Sequence, residues 1–257
     1  MKAMVLAAGL GTRLRPLTND RPKALVEVAG RTMLEIVLER LRSFGVHEVI
    51  VNTHYFAGMI KDYLRSHGNF GMRIEISHEE DLLDTGGGLK KAAWFFLEDG
   101  NLRSEPFIVH NVDVISSIDL RRMMQFHVDR DAIATLAAQD RKTSRPLLFD
   151  EDGRLRGRGA PADKSAQPPP TFRTLAFSGI HVVSPRLFEK MHEQGAFSII
   201  DAYLRLAALG EKIVAFPADQ YDWLDLGRPE HVAQAASKLA VKKAPGNPPE
   251  GARKSSV

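Results

Sequence analysis

Short apolar runs of strand type recur along the chain, each followed by a stretch with helical spacing. This alternation limits the possible folds more than any other feature. The runs are KAMVLAA (2–8), EVIVN (48–52), MRIEIS (72–77), PFIVH (106–110) and AIATLAA (132–138). Between the first two, Leu34, Val37, Leu38 and Leu41 give an apolar face to a helix over about 33–44. Similar spacing predicts helices near 56–65, 88–97 and 120–127. Strand–helix alternation is the pattern of βαβ units, which build parallel sheets. The strands are nearly continuous in Val, Ile, Leu and Ala, so both faces of the sheet should be covered. The expected class is α/β, with a Rossmann-like, mixed but mostly parallel sheet flanked by helices.

The pattern changes after residue 140. RPLLFDEDGRLRG (145–157) reads as a hairpin turning at Asp152-Gly153, and the Pro- and Ala-rich stretch 159–170 reads as a loop. A long strand is expected over 172–183, helices over 185–192 and 199–209, and a strand over 212–218. YDWLDLG (221–227) reads as a strand end, and a last helix over 229–241 opens with Pro229 in its first turn. Residues 241–257 are polar and rich in Pro and Gly, and disorder is expected there. No internal repeat is visible.

Composition removes several classes of function. The chain has no cysteine, so disulfides, thiolate zinc sites and cysteine nucleophiles are excluded. Lys and Arg number 35 against 32 Asp and Glu, a formal net charge of +3, and they are spread out rather than gathered in a stripe. Such a balance suits anionic small molecules and is no nucleic-acid signature. The apolar run at the N-terminus stops at Ala8 and is followed by Arg13 and Arg15, too short for a secretion signal. No run approaches the length of a membrane helix. The expectation is a cytoplasmic protein with neither membrane nor nucleic acid as partner.

The first strand runs into a loop with Gly9 and Gly11, then Thr12, Arg13, Arg15 and Lys23. The dinucleotide fingerprint G-x-G-x-x-G fails because Leu14 stands at its third glycine, and no P-loop is present. The physical role can survive both failures. Glycines let backbone N–H groups approach an anion, and arginine forks match phosphate oxygens. A tight surface turn with solvated arginines would look the same, and the loop alone leaves both readings open.

LAAGLGTRLRPLT (6–18) followed by PKALVEVAGRTML (22–34) resembles the signature of the sugar-1-phosphate nucleotidylyltransferases. The resemblance covers about residues 1–240. DTGGGL (84–89), HNVDVI (110–115), FSGIHVV (177–183) and WLDLGRPE (223–230) fall where that family has related motifs. Within the family, the short length and the TGGG and FSGI forms resemble most the N-acetylmuramate-1-phosphate uridylyltransferases. The resemblance implies the nucleotide-diphospho-sugar transferase fold. It implies one domain over 1–240, with a nucleotide half to about 140 and a sugar-binding half, holding a small β subregion, from about 141. No stretch is left for the C-terminal β-helix extension of the bifunctional members, so an appended acetyltransferase is not expected.

The family reaction needs a nucleoside triphosphate, a sugar 1-phosphate and Mg²⁺. A phosphate oxygen of the sugar attacks the α-phosphorus in line, and pyrophosphate leaves. The nucleophile is already ionised at neutral pH. Positioning and charge neutralisation therefore matter more than a general base. By resemblance, Asp113 and Asp225 are the metal ligands, each at a strand end and offering hard oxygen donors. Arg13 and Lys23 are the catalytic cations. Arg13 serves the β and γ phosphates, and Lys23 serves the α-phosphate and the sugar phosphate. Ala8, Gly9, Gly11 and Thr12 present the loop to the nucleotide. Thr85 and Gly86 of DTGGG, with Asn52 and Glu79, line the base side. Asn111, Ser178 and Gly179 face the sugar.

Two departures stand out. The family form Asn-Gly-Asp is here Asn111-Val112-Asp113, which should put a side chain near the sugar. A Glu-Lys-Pro motif that carries the sugar-phosphate lysine in many members is missing from 150–173, where Arg158, Lys164 and Arg173 are the available cations. UTP is the favoured nucleotide. The alternatives are a mannose-1-phosphate guanylyltransferase, a glucose-1-phosphate thymidylyltransferase, or a regulatory homologue that binds a nucleotide sugar without turnover. The catalytic reading gains from the presence of Arg13, Lys23, Asp113 and Asp225 together.

Overall fold

The computed structural model describes residues 1–98, 105–159 and 171–243. The chain starts with β1 (Lys2–Leu6), then a short ribbon of β2 (Glu27–Val28) and β3 (Arg31–Thr32). Helix α1 (Met33–Ser43) follows, its first turn capped by Thr32, whose hydroxyl accepts from the Glu35 N–H at 3.1 Å. Next come β4 (Glu48–Thr53), α2 (Ala57–Ser66), β5 (Arg73–His78), α3 (Asp84–Lys91) and α4 (Ala93–Phe96). After these lie β6 (Phe107–Asn111), β7 (Val114–Ser116), α5 (Leu120–Asp129) and β8 (Ala134–Gln139). The predicted hairpin is β9 (Leu147–Phe149) and β10 (Leu155–Arg158), and β11 (Arg173–Val183) is the long strand. The chain goes on through α6 (Leu187–Lys190), α7 (Ile199–Ala208), β12 (Ile213–Pro217), β13 (Trp223–Asp225) and α8 (Pro229–Lys243).

Nine strands form one mixed sheet. Its backbone order is β10-β9-β11-β6-β1-β4-β5, with β8 beside β11 and β12 beside β8. The β6-β1-β4-β5 stretch is wholly parallel, and β11 runs antiparallel to β6 and β8. Alternate residues of each central strand serve different layers. Ala3 and Val5 of β1 face one core with α1, α2, α5 and α8, whereas Met4 faces a second core with α3, α4, α6 and α7. The sheet is covered on both faces, which is why its strands read as unbroken apolar runs. Both cores draw on residues before and after position 140.

Three expectations shift. The helix read from Gly88 starts at Asp84, takes in all three glycines, and breaks at Ala92 into α3 and α4. The helix expected over 185–192 shortens to Leu187–Lys190. The last helix runs through residues 241–243 of the expected tail, and the rest of that tail lies outside the described residues. So does most of the Pro-rich loop, Lys164 included. Among the described residues, no helix is long and apolar enough to cross a membrane.

Candidate active site

The chain leaves β1 for β4 and β5 on one side and returns to β6 on the other, so β1 is the point where the strand order reverses. In open α/β sheets, ligands bind outside the carboxyl ends of the strands at such a point. The register sets Asn52 and Asn111 on either side of Leu6 there. A cavity of about 370 Å³ opens at this place. Ala8, Gly9, Lys23, Asn52, Glu79, Thr85, Asn111 and Asp113 all line it, joined by Leu82, Asp84 and Val112.

The glycine loop is fixed from below. The Asn52 side-chain oxygen accepts from the Ala7 N–H at 2.7 Å, and its amide donates to Glu79 at 2.7 Å. The other Glu79 oxygen accepts from the Leu83 N–H at 2.9 Å. Asn52 is 3% exposed and Glu79 is fully buried. Their polar atoms tie the loop after β1 to the loop after β5. Gly11 adopts φ 65° and opens a 3-10 turn over Thr12–Leu14. Thr18 donates to its carbonyl at 2.9 Å. A side chain at Gly11 would meet Thr18 and Lys23, so glycine suits both the torsion and the close approach. Leu14 is fully buried and pins the turn, and Thr12 and Arg13, which precede it in the turn, are left exposed.

The two aspartates come from distant parts of the sequence. β7 and β13 form an antiparallel ladder that pairs Asp225 with Val114, and the Leu226 N–H donates to the Asp113 carbonyl at 2.8 Å. Each carboxylate already has a cation or donor beside it. Lys23 forms an ion pair with Asp113, with the two side chains only 13% and 14% exposed. Asp225 accepts from the Gly227 N–H at 2.8 Å. A Cβ on Gly227 would lie 2.9 Å from that Asp225 oxygen and 3.0 Å from the Arg13 guanidinium, so Arg13 and Asp225 close around this glycine.

Asp113 and Asp225 suit a divalent cation by their chemistry. Both offer hard oxygen donors, and Lys23 already places positive charge against Asp113. Among the described residues no group of three or more His, Cys, Asp or Glu could hold a metal alone. Two carboxylates would need the remaining ligands from water and substrate phosphates, the usual way Mg²⁺ is bound.

The family described as nucleotidyl transferase matches residues 2–242. The chain belongs to the nucleotidyl transferase family. It is 36% identical over 249 residues to N-acetylmuramate alpha-1-phosphate uridylyltransferase of Caulobacter vibrioides, covering 93% of this chain and 96% of that protein. It is 30% identical to mannose-1-phosphate guanylyltransferase of Mycobacterium tuberculosis and spans 66% of its length. It is 29% identical to UTP–glucose-1-phosphate uridylyltransferase of Synechocystis and spans 60% of that. Among solved structures, HddC from Yersinia pseudotuberculosis complexed with GMP-PN superposes with a TM-score of 0.73 at 23% identity, covering 93% of this chain and 99% of that one. UDP-glucose pyrophosphorylase from Acinetobacter baumanii superposes with a TM-score of 0.77 at 18% identity, covering 95% and 94%. These likenesses establish the nucleotide-diphospho-sugar transferase fold, and the family makes the protein an enzyme of the sugar-1-phosphate nucleotidylyltransferase class.

In this nucleotidyl transferase the DTGGG stretch is the start of α3, and its glycines face the protein itself. A Cβ on Gly86 would lie 2.9 Å from the Phe197 carbonyl oxygen, one on Gly87 2.5 Å from that of Gly195, and one on Gly88 2.6 Å from Glu79. The Gly86 N–H donates to Phe197 at 2.9 Å, and Thr85 accepts from the Ile199 N–H at 3.0 Å, helping to cap α7. Thr85 lines the cavity, and Gly86 sits behind it.

On the side expected to face the sugar, β11 pairs with β8 on both sides of an irregularity between Phe177 and His181, where Gly179 takes φ 72°. Bulges of this kind commonly re-aim residues beside active sites. Asn111 packs against Gly179, where a Cβ would lie 2.9 Å from its amide. Ser178 is fully buried, its hydroxyl donating to Gln139 at 3.3 Å, so its side chain acts through what it positions. Val112 is 2% exposed and belongs to the α1 core, so the side chain expected near the sugar is mostly spent on packing. Of the cations considered for the sugar phosphate, Arg158 is paired with Asp201 and Arg173 is exposed at the start of β11. The structure brings forward Arg141 instead, which the motifs did not single out. It lies just past β8, stacked on Trp223. The available signal was its place two residues after a strand's carboxyl end.

Proposed function

We propose that the enzyme transfers a uridylyl group from UTP to a sugar 1-phosphate with Mg²⁺, releasing pyrophosphate, and that N-acetylmuramate 1-phosphate is the acceptor. One observation carries the reading. Asp113 and Asp225, far apart in the chain, are brought together by one ladder, with Lys23 paired to Asp113 and Arg13 against Asp225 at Gly227, and Lys23 and Asp113 line the cavity at the switch point of the sheet. The 36% identity to the Caulobacter uridylyltransferase, across nearly the whole of both chains, supports the choice of nucleotide and sugar.

The chain's own residues do the following work. The loop from Ala8 to Gly11 brings backbone N–H groups towards the triphosphate. Arg13 offers a fork to the phosphates that leave as pyrophosphate. Lys23 exchanges its contact with Asp113 for the α-phosphate, where negative charge builds as the new P–O bond forms. Thr85 and Leu82 border the base, and Asn111 and Gly179 border the sugar. The oxygen of the sugar phosphate bonds to the α-phosphorus as the bond to the pyrophosphate oxygen breaks, and no proton needs to move. Mg²⁺ held by Asp113 and Asp225 would neutralise the phosphate oxygens.

The test is pyrophosphate release across UTP, GTP, dTTP, CTP and ATP against N-acetylmuramate, glucose and mannose 1-phosphates. Release confined to UTP with N-acetylmuramate 1-phosphate is expected. Release with GTP and mannose 1-phosphate, or dTTP and glucose 1-phosphate, would replace that pair. Silence in every cell alongside saturable nucleotide binding would favour a regulatory homologue.

A further inference from the structure

We infer that Arg141 binds the phosphate of the acceptor sugar 1-phosphate. The inference rests on the reaction proposed above and adds a residue to it.

The guanidinium is held on two sides. Its carbon sits 3.7 Å from the centre of the Trp223 ring, and its Nη2 donates to the Phe177 carbonyl at 2.8 Å. The ring is fixed in turn, because Trp223 Nε1 donates to the Ser178 carbonyl at 2.8 Å. Both carbonyls belong to the irregular stretch of β11 that also holds Gly179. A stacked, tethered arginine has little freedom left to lose on binding, which favours planar recognition of an oxyanion.

This cation has unused capacity. Its Nε is buried and has no hydrogen-bond partner. A guanidinium carries five N–H donors, and leaving one buried and unpaired is costly unless something arrives to accept it. Burial also holds its pKa below the usual arginine value, with the Asp225 carboxylate pulling the other way. An arriving phosphate would supply both the acceptor and the negative charge.

Its place in the sheet selects which phosphate. Asn52 at the end of β4 and Glu79 just past β5 lie on one side of β1, together with the loop expected to border the base. Arg141 lies on the other side, past β6 and β11, at the end of β8. Trp223 and Asp225 are two apart on β13 and so share a face of that strand. Arg141, stacked on Trp223, therefore stands at the face from which Asp225 projects, on the flank away from the base. In an in-line displacement the attacking and leaving oxygens sit on opposite sides of the α-phosphorus. With Arg13 and the glycine loop serving the triphosphate, a cation on the far flank serves the nucleophile.

Steady-state kinetics on Arg141→Gln and Arg141→Lys test this. Arg141→Gln should raise the KM for the sugar 1-phosphate about tenfold or more and leave the KM for the nucleotide within about twofold. Arg141→Lys should recover part of that loss, since it keeps the charge and loses the fork. An unchanged acceptor KM, or an equal rise in both KM values, would overturn the inference. N-acetylmuramate without its phosphate keeps the carboxylate, so if its competition against the acceptor weakens in Arg141→Gln as much as the acceptor KM rises, Arg141 serves the sugar's carboxylate and the phosphate assignment is overturned. Binding separates this inference from the reaction. The chain has two tryptophans, so in a Trp94→Phe background the emission reports Trp223 alone. It should change saturably with sugar 1-phosphate and fail to do so when Arg141→Gln is added. Saturation without turnover would sink the proposed reaction and leave Arg141 as an acceptor site. Turnover with a normal acceptor KM in Arg141→Gln would do the reverse, and loss of both signals in the unaltered protein would end both.

Discussion

At the scale of single residues, the site depends on a few charges held close together. Asp113→Asn and Asp225→Asn each remove one of two carboxylates whose residues the β7–β13 ladder brings together, and should cut turnover about 10²-fold or more. Thermal denaturation should show the fold intact, and a well-folded variant that kept most of its rate would remove that residue from the metal site. Gly227→Ala is a subtler case. Its Cβ would come 2.9 Å from an Asp225 oxygen and 3.0 Å from Arg13, so turnover should fall although no charge is lost. A full rate in that variant would show that Arg13 and Asp225 need not close on one another. Lys23, Asp113 and Asp225 stand out as candidates in the sequence because each lies inside a long motif. Arg141 does not, because its partner Trp223 lies far along the chain and only a particular strand pairing brings the two together.

At the scale of elements, α3 holds the main lesson. Three consecutive glycines disfavour a helix, and apolar spacing alone predicts one only from Gly88. A side chain at any of the three would strike Phe197, Gly195 or the Asn52–Glu79 pair, so close packing accounts for the glycines within the helix. Gly88→Ala separates the two influences. Alanine should add about 1 kcal/mol of helix propensity. Against this, overpacking a buried site costs about 1–3 kcal/mol, and each buried hydrogen bond that breaks costs about as much again. A net loss of stability and a higher KM for the nucleotide are expected, and a stabilised Gly88→Ala would show that Asn52 and Glu79 can yield. Thr85→Val should lower stability by about 1 kcal/mol through the loss of the acceptor for the Ile199 N–H in the first turn of α7, as measured by denaturant titration. Apart from the shortened α6 and the lengthened α8, the other helices and most of the strands match their apolar periodicity, since burial on the predicted face is what shaped them.

At the scale of the whole molecule, the two cores enclose several neutral histidines. Burial holds His110 and His127 down to about 4 and His181 to about 3. In the unfolded chain each takes up a proton near about 6.5. Between those values the unfolded state binds more protons, so stability should fall as the pH drops from about 6.5 towards 4. The slope is about 1.4 kcal/mol per pH unit for each histidine. Denaturant midpoints at pH 7.5 and pH 5 measure it, and equal midpoints would mean that these histidines are charged in the folded protein. The parallel half of the sheet could be read from strand–helix alternation. The β7–β13 ladder could not, since neither three-residue strand has a pattern of its own. That ladder also bears on how the protein is made. A chain leaving the ribosome exposes Lys23 and Asp113 long before Trp223–Asp225 has been synthesised, and β7 must wait for the strand with which it pairs. Until then the nascent chain holds Lys23 and Asp113 without the strand that brings Asp225 beside them, and the proposed reaction must wait for it.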